Sequence, residues 1–235
     1  MSVNSLPLYA DDSHLTEFDA TVVKAGPKFV VLDRTAFYPD SGGQPGDVGV
    51  LRHSGGEAKV GKVVKRGLEI YHYLNTDIPT GTLVHAVIDW PTRSWNMRRH
   101  SAEHLLTGLI EARGEPPKIF SDLEKLEYQS SSLTAEQIAA VGCHFDKIVD
   151  EDVSVRIYYE DRAKIDASGD PRKISFLQKI PRSVDRLRIV DIGAYASTFC
   201  FGTHVKSTGE IGHLAELRLE DARKGKKIVY FKLKA

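Results

Sequence analysis

At residues 90–114 the chain reads WPTRSWNMRRHSAEHLLTGLIEARG, and this stretch decides the fold. Between Arg93 and Arg113 it contains no proline and, apart from Gly108, no glycine. Its apolar side chains recur at helical spacing, so they lie on one face of a helix. We therefore predict a long helix here, and the residues before and after it differ in character.

The residues ahead of this helix have the pattern of β structure. Short apolar and β-branched runs alternate with turns that contain glycine or proline. The runs lie at residues 18–23, 29–32, 60–64, 68–74 and 83–88. Several short strands at this spacing predict a small barrel or sandwich, which we place in a first domain at residues 1–91.

One segment of this first domain interrupts the strand pattern. Residues 35–47 read TAFYPDSGGQPGD, which is too rich in glycine and proline for a strand. We predict a loop whose backbone is shaped for close approach to another group.

The residues after the helix mix helical and strand patterns. Residues 134–137 read TAEQ, a capping box that is expected to open a second helix. Strand-like runs follow at residues 153–159, 187–190, 214–219 and 227–233. We predict a second domain of α+β type at residues 92–235.

Composition limits the partners. The 235 residues include 32 Lys and Arg and 32 Asp and Glu, so any RNA contact must come from a local basic patch. Two cysteines, no signal peptide and no long apolar run predict a cytoplasmic protein that binds neither membrane nor DNA. The candidate phosphate-binding patches are two clusters, Arg93, Arg98 and Arg99, and Lys224, Lys226 and Lys227.

Two histidine-containing pairs are candidate metal ligands. His100 and His104 lie four residues apart on the predicted helix, so both imidazoles share one face. Cys200 and His204 have the same spacing in a turn that contains glycine. Either pair alone is weak evidence, but three imidazoles and one thiolate together form a ligand set suited to zinc. Glu103 lies off the histidine face, so we predict a surface or supporting role for it.

The motifs around these residues resemble a known family. Residues 99–106, RHSAEHLL, and 200–205, CFGTHV, are similar to the metal motifs in the editing domain of alanyl-tRNA synthetase. Residues 208–212, TGEIG, continue the second motif, and residues 37–49 are similar to the glycine-rich segment of that family. The chain is too short to hold an aminoacylation domain as well. It therefore resembles the free-standing editing proteins called AlaX, in the medium-length form.

This resemblance implies a fold, an activity and a site. It implies an N-terminal β-barrel of translation-factor type, then an α+β editing domain that binds the acceptor end of mischarged alanine tRNA. The expected reaction is hydrolysis of seryl-tRNA(Ala), with glycyl-tRNA(Ala) as a second candidate substrate. One zinc ion per chain would be bound by His100, His104, Cys200 and His204. The expected substrate-binding residues are Ser121, Gly42, Gly43 and Gln44.

Two alternatives remain open from the sequence. One is an editing protein of the threonyl-tRNA type, which has a similar metal constellation but which the glycine-rich loop disfavours. The other is an RNA-binding module without catalysis, in which four protein ligands close a structural zinc site.

Overall fold

The computed structural model describes residues 4–169, 177 and 180–235, and the chain divides into two compact units, Met1–Met97 and Arg98–Ala235. The long helix, α1, runs from Trp90 to Glu111, so the division falls inside it. Helix α1 begins before Arg93 because Pro91 is tolerated in a first turn and because the Asp89 carboxylate accepts a hydrogen bond from the Thr92 N–H at 2.9 Å.

The first unit contains a closed barrel, as predicted. Six strands close it in the order β2–β3–β7–β6–β5–β8. The strands of this unit are β1 (Leu6–Pro7), β2 (Glu17–Gly26), β3 (Phe29–Leu32), β4 (Arg34–Thr35), β5 (Gly49–His53), β6 (Gly56–Arg66), β7 (Glu69–Leu74) and β8 (Leu83–Ile88). Inward residues alternate with outward ones, as β7 shows with Ile70, His72 and Leu74 buried between half-buried Tyr71 and Tyr73.

The predicted loop after β4 contains a tight turn. Gly42 and Gly43 have φ of 60° and 84°, and the backbones of Ser41 and Gln44 exchange hydrogen bonds of 3.0 and 3.2 Å across them. Two successive positive φ angles define a type I′ turn, which accounts for the two glycines. Gln44 is buried.

A buried ion pair ties this loop to α1. The guanidinium of Arg93 is paired with the Asp47 carboxylate, and both side chains are fully buried. Arg93 also donates to the carbonyl oxygens of Ser13 and Ala36, at 2.7 and 2.5 Å. Asp47 in turn accepts a hydrogen bond from the Tyr38 N–H at 2.6 Å. The expectation that Arg93 contacts phosphate is therefore wrong, because its side chain supports the barrel.

We expect one histidine to make the stability of the barrel depend on pH. Burial lowers the pKa of His72 to about 4, and its Nε2 lies 2.8 Å from Thr35 Oγ1. The unfolded chain, whose imidazole pKa is about 6.5, takes up the proton first. This contribution to stability is therefore complete above about pH 6.5 and falls by about 3 kcal/mol as the pH drops to 4.

The free energy of unfolding in urea, measured between pH 7.5 and 4.5, tests this. His72→Gln is the control variant, because glutamine is polar but does not titrate. The stability of the parent should fall more steeply with acid than that of the variant. Parallel pH profiles would contradict the assignment.

The second unit mixes helices with two sheets among the described residues. A four-stranded sheet has the order β14–β15–β10–β9, and a three-stranded sheet has the order β11–β12–β13. Helix α2 begins at the predicted capping box, in which Thr134 and Gln137 exchange side-chain to backbone hydrogen bonds. The elements are β9 (Phe120–Ser121), β10 (Lys125–Gln129), α2 (Ala135–Asp150), β11 (Val155–Asp161), α3 (Arg162–Ala167), β12 (Arg186–Ile192), β13 (Ala196–Phe199), β14 (Leu214–Ala222) and β15 (Lys226–Leu233).

Close packing at Gly108 brings the β12–β13 turn onto α1. A Cβ atom at Gly108 would lie 2.2 Å from the carbonyl oxygen of Tyr195. Glycine is therefore required in mid-helix here, despite costing about 1 kcal/mol of helix propensity. None of the described helices has the length and apolar composition to cross a membrane.

Candidate metal centre

The second unit brings together the four predicted ligands. Helix α1 places His100 and His104 one turn apart, with ring centroids 4.8 Å from each other. The loop after β13 carries Cys200 and His204, and the His204 ring lies 4.3 Å from His100 and 4.5 Å from His104. One candidate ligand atom from each residue lies within 4.8 Å of all the others.

These separations fit a metal ion. The sulfur of Cys200 lies 3.4 Å from His100 Nε2 and 3.3 Å from His204 Nε2. A tetrahedral zinc ion would hold a nitrogen and a sulfur ligand about 3.6 Å apart. Nδ1 of His104 is buried and has no hydrogen-bond partner among the described residues. The group could therefore hold a metal.

Burial keeps the imidazoles neutral. It lowers the pKa of His100 to about 4 and the pKa values of His104 and His204 well below the ordinary value. Burial also raises the pKa of the Cys200 thiol to about 11. Three neutral imidazoles are ready to bind a cation, whereas the thiol keeps its proton until a cation displaces it.

Glu103 is buried beside the candidate ligands. Of the two roles predicted for it, the surface role is therefore wrong. Its Oε2 lies 3.6 Å from His104 Nε2, and its Oε1 is paired with Lys118 Nζ and accepts a hydrogen bond from Thr107 Oγ1 at 3.3 Å. Burial alone would raise the pKa of Glu103, but Lys118 and the imidazoles lower it to about 2. An ionised carboxylate therefore lies next to His104.

Two other residues fix the second ligand pair. Ser101 Oγ lies 3.1 Å from His204 Nδ1 and accepts a hydrogen bond from the Val205 N–H at 3.3 Å. Arg188, fully buried on β12, donates to the carbonyl oxygens of Cys200 and Gly202 at 2.6 and 3.0 Å. Neither residue is predicted from the sequence to support the site. For Arg188 the available signal is a charged residue inside the apolar run 187–190.

We expect Arg188→Met to weaken metal binding by about 10- to 100-fold, because supporting residues of metal sites have effects of this size. The variant leaves two carbonyl groups of the ligand loop without their donor. Titration with Co²⁺, followed by its visible absorption, measures the affinity. Arg188→Lys should recover part of it, and Arg186→Met, at an exposed position of the same strand, is the control. Equal affinity in the parent and Arg188→Met would contradict this role.

The predicted substrate residues lie in different places. Ser121, partly buried, ends β9 and pairs with Leu126 in the sheet. It follows Lys118, the partner of Glu103, by three residues. Gly42, Gly43 and Gln44 belong to the first unit.

Four of the remaining basic candidates, Arg98, Arg99, Lys226 and Lys227, contact groups within the protein. Arg98 donates to the carbonyl oxygens of Ile211 and Lys234, and Arg99 Nη1 lies 3.5 Å from a Glu124 oxygen. Near the C-terminus, Lys226 is 3.5 Å from Glu127 and Lys227 is 2.5 Å from Asp221.

Two family models match the chain. One, described as tRNA synthetases class II (A), matches residues 11–92. The other, described as the threonyl and alanyl tRNA synthetase second additional domain, matches residues 187–230 and so includes Cys200 and His204.

Similar proteins include two alanyl-tRNA editing proteins and an alanine–tRNA ligase. The chain is 32% identical to the alanyl-tRNA editing protein AlaX-M of Methanosarcina mazei, over 96% of this chain and 95% of that protein. It is 33% identical to AlaX-L of Pyrococcus horikoshii, over 90% of this chain and 54% of that protein. It is also 33% identical to the alanine–tRNA ligase of Ignicoccus hospitalis, of which it spans 23%.

Proposed function

Because this chain belongs to the family of alanyl-tRNA editing proteins, we propose that it hydrolyses mischarged alanine tRNA in trans. Water adds across the ester, which releases the amino acid and restores the free ribose hydroxyl of the tRNA. Seryl-tRNA(Ala) is the principal substrate and glycyl-tRNA(Ala) the second. The similarity to AlaX-M over 96% of this chain and 95% of that protein carries the proposal.

We assign the metal as zinc, one per chain, bound by His100, His104, Cys200 and His204. The buried set of three imidazoles and one thiol supports this choice over metals that prefer oxygen ligands. Bound there, zinc would supply positive charge to polarise the ester carbonyl or to lower the pKa of a water.

The protein's own groups orient these ligands. Ser101 holds the ring of His204 through Nδ1, and Arg188 holds the turn that carries Cys200. Glu103 places negative charge beside His104, and Lys118 keeps that carboxylate ionised. Its position beside a ligand gives Glu103 an electrostatic and orienting role.

The substrate contacts follow the family resemblance. The hydroxyl group of Ser121 bonds to the hydroxyl of the substrate serine. Gly42, Gly43 and Gln44 frame the terminal adenosine, with the two glycines acting through their backbone. We place the functional boundary at residues 91/92, which is supported by a family match that ends at residue 92. The tRNA is bound at its acceptor end, and the protein acts in the cytoplasm.

Deacylation assays test this function. Seryl-tRNA(Ala) should be hydrolysed much faster than alanyl-tRNA(Ala), because a pocket built to bond a hydroxyl leaves polar groups unpaired when alanine enters. Ser121→Ala should lower the rate on seryl-tRNA(Ala) and so reduce the difference between the two rates. Ser121→Thr, which keeps a hydroxyl, should preserve more of the rate on seryl-tRNA(Ala). Removing zinc with a chelator should abolish turnover, and adding it back should restore turnover.

Two outcomes would contradict this function. Equal rates on both substrates would exclude editing as the task. A folded protein with zinc bound but no turnover on any aminoacyl-tRNA would favour the RNA-binding module with structural zinc.

A further inference from the structure

The outer wall of the barrel carries aromatic rings and cations on neighbouring strands. Strands β2, β3, β7 and β6 pair side by side, and directly opposite residues of antiparallel strands share a face. Phe29 is opposite Tyr73, Tyr73 is opposite Lys62, and Lys24 is opposite Val31. We call the resulting group the outer barrel patch; it consists of Lys24, Phe29, Lys62, Arg66, Tyr71 and Tyr73.

The patch is an ordered array. Lys24 Nζ and Arg66 Cζ each lie 5.1 Å from the centroid of the Tyr71 ring. Arg66 also donates to the Tyr73 hydroxyl at 2.9 Å, and the Phe29 ring lies 5.3 Å from Tyr71 and 6.3 Å from Tyr73. The rings therefore fix the direction of an exposed guanidinium.

Packing explains only the aromatic part of the patch. Val31, opposite Tyr71 and Lys24, is fully buried, although it lies outside the barrel's core cluster. Its cross-strand neighbours on the two sides, Lys24 and Tyr71, are placed by the register to shield it from water. Lys62 and Arg66 are exposed, so covering Val31 does not require their charges.

Two of the three cations of the patch have no carboxylate partner in the described part of the chain, unlike the cations on strands β14 and β15. Lys24 is paired with Glu69 at 2.8 Å, and Glu69 also lies opposite Arg66 on the neighbouring strand, but among the described residues neither Lys62 nor Arg66 forms an ion pair. On β14–β15, Arg218 also lies over a tyrosine, Tyr230, at 3.9 Å. There, however, Arg218 is paired with Glu216 and Glu220, and Lys232 with Glu216.

From this contrast we infer that the outer barrel patch binds the sugar-phosphate backbone of tRNA. The inference rests on the proposed function, which makes tRNA the substrate. A guanidinium held by aromatic rings suits a phosphate, and half-buried rings beside it suit ribose or an unstacked base. The patch would supply affinity for the body of the tRNA, independent of the amino acid attached.

The test uses the full-length, zinc-loaded protein with Lys62→Gln and Arg66→Gln combined. Its Kd for uncharged tRNA(Ala) should rise about tenfold or more at 0.15 M salt, and the slope of log affinity against log salt should fall by about 2. Arg218→Gln combined with Lys232→Gln removes the same charge from the compensated face. That control should stay within about twofold of the parent, since paired surface cations have carboxylate partners.

Turnover measurements separate binding from chemistry. With seryl-tRNA(Ala), the patch variant should have a raised KM and an unchanged kcat. With the seryl ester of a short CCA oligonucleotide, which lacks the tRNA body, its kcat/KM should match that of the parent. Thermal unfolding of each variant verifies that the barrel is folded.

Three results would overturn the patch assignment. They are an unchanged Kd and salt slope, an equal loss in the control variant, and a loss confined to vesicles containing phosphatidylserine while tRNA affinity is kept. Failure of the parent protein to release serine would count against the proposed function instead, because the patch is measured by binding of uncharged tRNA.

Discussion

Replacing His104 with alanine is expected to remove the metal and to lower seryl-tRNA deacylation by about a thousandfold or more. A catalytic metal supplies several kcal/mol of charge stabilisation, and about 1.4 kcal/mol corresponds to a factor of ten in rate. The His104 ring lies 4.8 Å from the His100 ring and 4.5 Å from the His204 ring, and its Nε2 lies 3.6 Å from Glu103 Oε2. Its loss would leave three of the four candidate ligands, and the ionised carboxylate of Glu103 would lose the imidazole beside it.

Elemental analysis and single-turnover kinetics measure the two effects on the same preparation. His213→Ala is the matched control, because His213 is paired with Asp150 on the surface and should leave both metal content and rate unchanged. A folded His104→Ala protein with stoichiometric zinc and parental kinetics would refute the ligand assignment.

Replacing Arg93 with methionine should destabilise the first unit by about 3–5 kcal/mol, the usual cost of removing one partner of a buried ion pair. Asp47 would remain as a buried, unpaired charge, and the carbonyl groups of Ser13 and Ala36 would lose their donor. The loop from Thr35 to Asp47 would lose its attachment to α1.

Both tryptophans of the chain, Trp90 and Trp95, belong to the first unit, so urea unfolding followed by tryptophan fluorescence reports on it directly. Adding Asp47→Asn to Arg93→Met removes the stranded charge and should recover part of the loss. A single variant within 1 kcal/mol of the parent, or a double variant less stable than the single, would contradict this account.

Much of the fold follows from local patterns in the sequence. The strands at β2, β3, β6, β7 and β8 were predictable because alternation and turn residues act over a few residues. The capping box at Thr134 was predictable for the same reason. Strand β5 was missed because it follows the glycine-rich loop, and the start of α1 was placed late because Pro91 reads as a break.

The site was predictable only in part. Ligand pairs at i and i+4 are local features of the sequence, whereas the residues that support the ligands come from distant parts of the chain. His100 with His104, and Cys200 with His204, are visible as pairs. Whether a cation is buried depends on contacts far along the chain. The sequence therefore indicated a surface cation at Arg93, although Arg93 pairs with Asp47. The residues near Lys118 in the sequence likewise do not indicate its contact with Glu103.

The two ligand pairs are 96 residues apart, counted from His104 to Cys200, and this separation orders the events of folding. Each pair can form with its own turn of chain, but the four-ligand site requires β12, β13 and α1 to be packed together. A metal ion that binds only this assembled site stabilises the folded unit and does not bind the unfolded chain. It adds RT ln(1 + [Zn²⁺]/Kd) to the stability of that unit, about 4 kcal/mol at a thousandfold excess over Kd. Because metal binding closes a long loop, it should slow unfolding more than it speeds folding. A chain without the metal would then open first around these four residues.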